Sequence, residues 1–215
     1  MTKNTIITIG RQFGSGGHEI GELLAKKLGI PFYDRNLVKM AAEELHITEE
    51  QAELEDEKKL MSIVSNYNLA MGGYNDFMAN AEFYAPVGRD LYAVQSAIIK
   101  KLAQKGSCVI VGRCADYALA DFDNCLSVFF HADLPTRIRR ISKIYDLTDA
   151  KAKDKIIKTD KKRSSYYNYY TSKRWGDADS YDLCIDSGKM GIDGSVEILL
   201  NAIRLKEKGY KKPIF

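Results

Sequence analysis

Gly14-Ser15-Gly16-Gly17-His18-Glu19 is the stretch whose residue types and spacing point most directly to chemistry. It follows the β-branched run Ile6-Ile7-Thr8-Ile9 and leads into Ile20–Leu28, where apolar residues recur every three or four positions. Strand, glycine turn and helix in succession aim backbone N–H groups and a helix N-terminus at one point, which favours an anion. Phosphate binding is the chemistry implied. The residues depart from the G-x-x-x-x-G-K-[ST] phosphate-loop pattern, however. With Gly17 set at its last glycine, Gln12 takes the first glycine, His18 the lysine and Glu19 the hydroxyl residue. Histidine is shorter than lysine and mostly neutral at pH 7, although an adjacent phosphate favours its charged form. His18 therefore reads either as a phosphate contact or as a bystander. Glu19 suits Mg²⁺ as a carboxylate, yet repels a polyphosphate when no metal is present. Its other reading is a helix cap or a structural ion pair.

Further charged candidates sit where strands end. Asp34 and Arg35 follow the short strand Ile30-Pro31-Phe32-Tyr33, and Arg113 follows Gly106–Val111 and Gly112. In open α/β sheets that edge is where ligands collect. From Arg137 to Arg174 thirteen Lys and Arg stand against four Asp, a local +9 in a chain whose total is +3, so the rest carries −6. Such a block is a nucleic-acid patch, a solvated helix face, or a set of arginines holding phosphates. The tyrosines at 166, 167, 169 and 170 invite a stacking role on nucleic acid. Packing of that face onto the core, with Trp175 covering its end, or stacking on a nucleotide base is the favoured reading. Nucleic acid is not an expected partner.

The elements that must position these groups alternate between strand and helix. Strands are expected at Thr5–Ile9, Ile30–Tyr33, Gly106–Val111, Cys125–His131 and Tyr181–Asp186, the buried runs of a parallel sheet. Helices are expected at Ile20–Leu28, Leu37–Leu45, from Thr48 to about Leu60, Pro86–Ala103, around Tyr117–Leu119, from Arg137, from a cap at Asp149 to about Tyr170, and over Gly194–Leu205. Residues 61–85 read as helices joined by a mobile loop. Asp133 with Pro135 reads as a helix start, and Asp34 as a second possible cap. The result is one α/β domain: core 1–34, 105–136 and 181–208, helical insert 35–104, and basic region 137–175. At 215 residues, 45% hydrophobic and 28% charged, the chain supports one well-buried core. It has no apolar run of the roughly 18–20 residues that cross a bilayer, and no signal-like start, so a cytoplasmic location is expected. Four cysteines without a C-x-x-C pair, and three dispersed histidines, argue against a zinc site. Cys108, Cys125 and Cys184 lie in apolar runs and read as core residues.

Several segments, in order, resemble one family. Gly10-Arg11-Gln12-Phe13-Gly14-Ser15-Gly16-Gly17-His18-Glu19-Ile20-Gly21, Gly29-Ile30-Pro31-Phe32-Tyr33-Asp34, Val111-Gly112-Arg113 and Asp160-Lys161-Lys162-Arg163 are similar to those of P-loop nucleoside monophosphate kinases. More closely, the chain resembles the cytidylate kinase-like family, in its branch with Arg or His at the lysine position. The resemblance implies a P-loop NTPase fold with a five-stranded parallel sheet, a helical monophosphate-binding insert and an arginine-bearing lid. It implies that Gly14, Ser15, Gly16 and Gly17 wrap the β-phosphate of ATP, that His18 meets the transferred phosphate, and that Glu19 stands at the Mg²⁺ ligand position. Asp34 and Arg35 fall where the monophosphate site begins. Arg113 matches an arginine that recognises the pyrimidine nucleotide, but Cys114 replaces the aspartate that follows it, and Asp116 would have to substitute. Asp160 and Arg163 match the lid's aspartate-x-x-arginine, and Arg137 and Arg140 look like lid-helix arginines.

Phosphoryl transfer between two polyanions requires several negative charges to be cancelled, by backbone amides, Mg²⁺ and arginine forks, with water shut out by a closing lid. The implied function is ATP- and Mg²⁺-dependent phosphorylation of a nucleoside monophosphate, CMP or dCMP. Two alternatives stay open: a nucleotide-binding regulator or degenerate kinase without turnover, and a kinase of another small acceptor. The acidic helix Glu49–Glu57 reads as a solvated face or as a partner for the basic segment, in the same subunit or across a homodimer.

Overall fold

Short β-branched runs build a parallel sheet because their side chains alternate between two faces that are both covered. In a computed structural model describing residues 4–34, 36–46, 48 and 85–209, the strands are β1 (Ile6–Arg11), β2 (Phe32–Tyr33), β3 (Cys108–Val111), β4 (Cys125–His131) and β5 (Leu183–Asp186). Their order is β2-β3-β1-β4-β5, with every neighbouring pair parallel. The pairs Ile9↔Val111 and Gly10↔Phe129 bring the C-terminal ends of β1, β3 and β4 to one edge. Parallel neighbours need crossovers, and helices supply them: α1 (Gly17–Leu28), α2 (Asn36–Glu44), α3 (Ala85–Lys105), α4 (Ala115–Ala118), α5 (Leu134–Tyr145), α6 (Asp149–Thr171) and α7 (Ser187–Glu207).

Two hydrophobic layers clamp the sheet. Ile6, Cys108 and Ile110 pack with Leu37, Leu91 and Ile99 from α2 and α3. Ile7, Ile9, Val109 and Phe130 face the other way and pack with Ile20, Leu24, Val196 and Leu199 from α1 and α7. Each fully buried Ile, Leu or Phe contributes about 1.5–3 kcal/mol relative to exposure, so the strand ends at the shared edge are held rigidly. A third, small cluster joins α5 and α6 through Ile141, Ala152 and Ile156, with Phe13 and Leu147 against it.

Several boundaries differ from those expected, each for a local reason. β2 is only two residues long, since Ile30 and Pro31 approach it as irregular chain. Thr148, not Asp149, caps α6: its hydroxyl accepts from Lys151 N at 3.4 Å, while Asp149 accepts from Ser142 Oγ at 2.8 Å. The closing helix begins at Ser187 because Asp186 caps it, accepting from Gly188 N and Lys189 N. Its periodicity is hidden by a kink at Gly191, φ 68° and ψ 176°. Cys184 is exposed rather than in the core, because β5 is the edge strand. Asp133 does cap α5, accepting from Thr136 N at 2.6 Å. Arg35, the helix Glu49–Glu57 and all of segment 61–85 but its last residue lie outside the described residues. Among the described residues no helix is long and apolar enough to cross a membrane.

Candidate active site

The turn from β1 to α1 is a built loop. Gly14 and Gly16 have φ of +84° and +83°, a region that side chains resist. A Cβ on Gly16 would sit 2.6 Å from Ile192 Cδ1. Gln12 fixes the loop's base: its N–H donates to Phe130 O at 2.9 Å, and its Oε1 accepts from Ala132 N at 3.2 Å. Ser15 is buried; its hydroxyl donates to Gln12 O at 2.9 Å, and its carbonyl accepts from Ser187 Oγ at 2.6 Å. Gly16 caps α1 without any side-chain hydrogen bond, so the helix keeps its N-terminal amides and dipole facing the loop.

His18 and Glu19 are both engaged, on opposite sides. His18 Nδ1 lies 2.7 Å from Asp34 Oδ2, and its ring meets Phe32 edge-on at 5.3 Å. Asp34 also accepts from Arg11 Nη2 at 3.3 Å. Its carboxylate thus ties the end of β2 to the loop. Glu19 pairs with Arg140 of α5, and the Arg140 guanidinium lies against Gly16. The ion-pair reading of Glu19 is what this geometry matches. Among the described residues no three His, Cys, Asp or Glu gather into a metal cage. The N-terminal amides of α1 and the Arg140 guanidinium against Gly16 fit an anion such as a polyphosphate.

Besides Arg140, three charged residues of the basic region meet the loop. Asp160 accepts from the backbone N–H of Phe13 at 2.7 Å and from Arg137 Nη1 at 2.5 Å. Arg137 is buried and donates through Nε to Ala132 O at 3.0 Å and through Nη1 to Phe13 O at 3.3 Å. These two residues hold the loop backbone rather than opening onto it. Arg163 donates to Arg11 O at 3.1 Å and lies over the Phe13 ring, 5.5 Å from its centroid. Burial, and next the Arg11 charge beside it, lower its pKa. Two crowded guanidiniums beside an uncapped helix N-terminus make a place where an anion relieves repulsion.

At the end of β3, Gly112, Arg113 and Cys114 have φ of 76°, 55° and 52° in succession. Two adjacent left-handed residues with side chains are a strained turn, of the kind that collects at functional sites. Gly112 backs directly onto the Arg11 guanidinium, which joins this turn to the loop. Cys114 is buried, and desolvation raises its thiol pKa. Asp116 turns inward: it accepts from Tyr167 OH at 2.7 Å, and burial raises its pKa. Tyr167 and Tyr181 stack at 5.9 Å, and Trp175 meets Phe129 edge-on at 5.2 Å, so this part of the tyrosine cluster is packing. Sequence reasoning passed over Arg11 and Gln95. Gln95 falls on the same α3 stripe as Leu91, Ile98, Ile99 and Leu102, and a polar residue on an apolar stripe was the available signal.

Comparison with known proteins accords with this architecture. A cytidylate kinase of Archaeoglobus fulgidus is 28% identical over 209 residues, covering 94% of this chain and 96% of that protein. The solved structure of an uncharacterized protein from Eubacterium ventriosum is 31% identical, with a TM-score of 0.71 over 94% of this chain and 99% of that one. Shikimate kinase of Bacteroides thetaiotaomicron, 18% identical, shares the fold at a TM-score of 0.50, with 94% and 100% covered. The sequence profile of the cytidylate kinase-like family matches residues 6–189. With most of its length matched, glycine loop and strained Gly112–Cys114 turn included, the chain belongs to the cytidylate kinase-like family.

Proposed function

We propose that the chain transfers the γ-phosphoryl group of MgATP to a nucleoside monophosphate, with CMP or dCMP as acceptor. The observation that carries this reading is the pair Arg11 and Arg163, crowded together and half-buried beside the uncapped N-terminus of α1. Family membership and the name of the Archaeoglobus relative support the choice of acceptor. In this reading an oxygen of the acceptor's phosphate attacks the γ-phosphorus, and the bond from that phosphorus to the β-phosphate bridging oxygen breaks. The amides of Gly14–Gly17 hold the donor phosphates. Arg140 leaves Glu19 for them, and Arg163 and Arg11 take up charge between donor and acceptor. His18, turned by Asp34, offers its other ring nitrogen to the phosphates. Arg137 and Asp160 keep the loop in shape, and Arg113 flanks the acceptor. Mg²⁺, carried by ATP, would supply further charge cancellation, with Glu19 available to it once Arg140 moves.

Purified protein incubated with ATP and Mg²⁺ should convert CMP or dCMP to the diphosphate, resolved by anion-exchange chromatography. Failure with all of CMP, dCMP, UMP and AMP overturns the proposal. One observation favours a second reading, a nucleotide binder without turnover: His18 and Glu19 both already have partners within the protein, Asp34 and Arg140. Calorimetric ATP binding without product formation would select it.

A further inference from the structure

We propose that Gln95 reads the base of the acceptor, its side-chain amide donating to a ring lone pair, N3 of cytosine, that uracil does not offer. This rests on the nucleoside monophosphate reading above and supplies the discrimination that Cys114 and the inward-turned Asp116 do not. Gln95 is fully buried on α3. Its Oε1 accepts from Tyr166 OH of α6 at 3.2 Å, and its Nε2 is buried with no hydrogen-bond partner among the described residues. An amide hydrogen left unsatisfied inside a protein is costly, and natural structures retain few. The strained Gly112-Arg113-Cys114 turn is the second, independent mark of a ligand at this place. Arg113, Cys114, Tyr92 and Tyr170 all lie within electrostatic reach of the Tyr166 hydroxyl. Gly112 in turn abuts Arg11 beside the phosphate loop. A polar wall thus runs from the loop past Arg113 to Gln95, with cations at the phosphate end and a neutral amide at the far end.

The chemistry follows from what the amide can still do. Burial raises the Tyr166 pKa and keeps the hydroxyl a donor. That donor occupies the amide oxygen and leaves only the NH₂ to meet a ligand. A donor selects a lone pair. Cytosine has one at N3, where uracil carries a hydrogen, so uracil would set donor against donor. Sites built to hydrogen-bond one partner reject its mismatched analogue far more strongly than apolar pockets reject a change of shape.

The test is calorimetric binding of CMP and UMP to the full chain as wild type, Gln95→Glu, Gln95→Leu and Tyr166→Phe, with ATP binding measured alongside. Wild type should bind CMP at least about tenfold more tightly than UMP, a mismatch of one hydrogen bond. Gln95→Glu, which turns the donor into an acceptor, should lower the CMP:UMP ratio at least about tenfold, and Gln95→Leu should bring it close to one. ATP affinity should stay within about twofold throughout, which a general loss of structure would not allow. Tyr166→Phe keeps Gln95 and frees the amide to flip, so it should lower the ratio even if the Gln95 variants do not fold. A wild type that binds neither pyrimidine or treats them alike overturns the proposal, as does an unchanged ratio in the folded variants. CMP binding with the expected shifts but no CDP formed overturns the kinase reading and leaves the role of Gln95 standing. CDP formed with an unchanged ratio does the reverse.

Discussion

Asp160 holds the backbone N–H of Phe13 and the guanidinium of Arg137 at once, so it fixes the glycine loop from outside. Asp160→Ala leaves a buried arginine without its carboxylate, a change that costs about 3–5 kcal/mol in comparable sites. Calorimetric unfolding should show the midpoint falling by about 6–20 °C, with ATP binding weakened as well. Glu19 should behave differently. Its ion pair with Arg140 is partly exposed and contributes about 0–1 kcal/mol. Glu19→Gln should move the midpoint by no more than about 4 °C while tightening ATP severalfold, because a carboxylate beside the glycine loop is removed. Unchanged ATP affinity with loss of Mg²⁺-dependent turnover would instead make Glu19 a metal ligand. The glycine loop itself was legible in the sequence, since Gly14 and Gly16 carry the positive φ that only their residue type tolerates cheaply. Its partners were not. Asp34 lies 16 residues from His18 and Arg140 lies 121 from Glu19. Spacing along a chain says nothing about such pairs until the elements are packed.

Among the elements, α6 spans both halves of the site. Asp160 and Arg163 sit at the loop, and Tyr166 and Tyr167 two turns on reach α3 and α4. The span of this helix was readable: the expectation of a helix from a cap at Asp149 to about Tyr170 compares with the observed Asp149–Thr171, with only the capping residue misassigned. Which side of it is buried was not readable. Its inward residues Ala152, Ile156, Tyr167 and Thr171 are few and widely spaced, since its middle meets the glycine loop through the charged Asp160 and Arg163 rather than through apolar side chains. The Tyr167–Asp116 bond docks its C-terminal end and predicts a pH dependence. Burial raises the folded pKa of Asp116 above its ordinary value; the Tyr167 hydrogen bond and Lys173 oppose that only in part. A raised carboxyl pKa contributes stability below about pH 4, where the group is protonated in both states, and that contribution is lost as pH rises through the folded value. Asp116→Asn keeps the acceptor for Tyr167 without the charge. It should therefore unfold at a higher temperature than wild type at pH 7, and the advantage should vanish as scans are repeated down to about pH 4.

Across the whole molecule, alternating strands and helices specified a parallel α/β domain, but not the strand order, because a single chain does not state which strands adjoin. The order observed places β1 centrally with β3 and β4 beside it, so the glycine loop and the Arg113 turn end up on one rigid edge, separated by Arg11. Two ligands held by one folded body must each stabilise it by mass action. At a hundred times its dissociation constant a single-site ligand adds about 2.7 kcal/mol, or about 5–10 °C in a domain of this size. MgATP and CMP should each raise the unfolding midpoint of the wild type by that amount. Gly16→Ala separates them. The added Cβ strains a left-handed residue and meets Ile192 at 2.6 Å, which should deform the glycine loop and leave the β3 edge in place. The variant should start a few degrees lower, lose the MgATP shift and keep the CMP shift. If MgATP still raises its midpoint as in the wild type, the phosphates lie somewhere other than the glycine loop, and the roles given to Arg11, Arg140 and Arg163 fall with it.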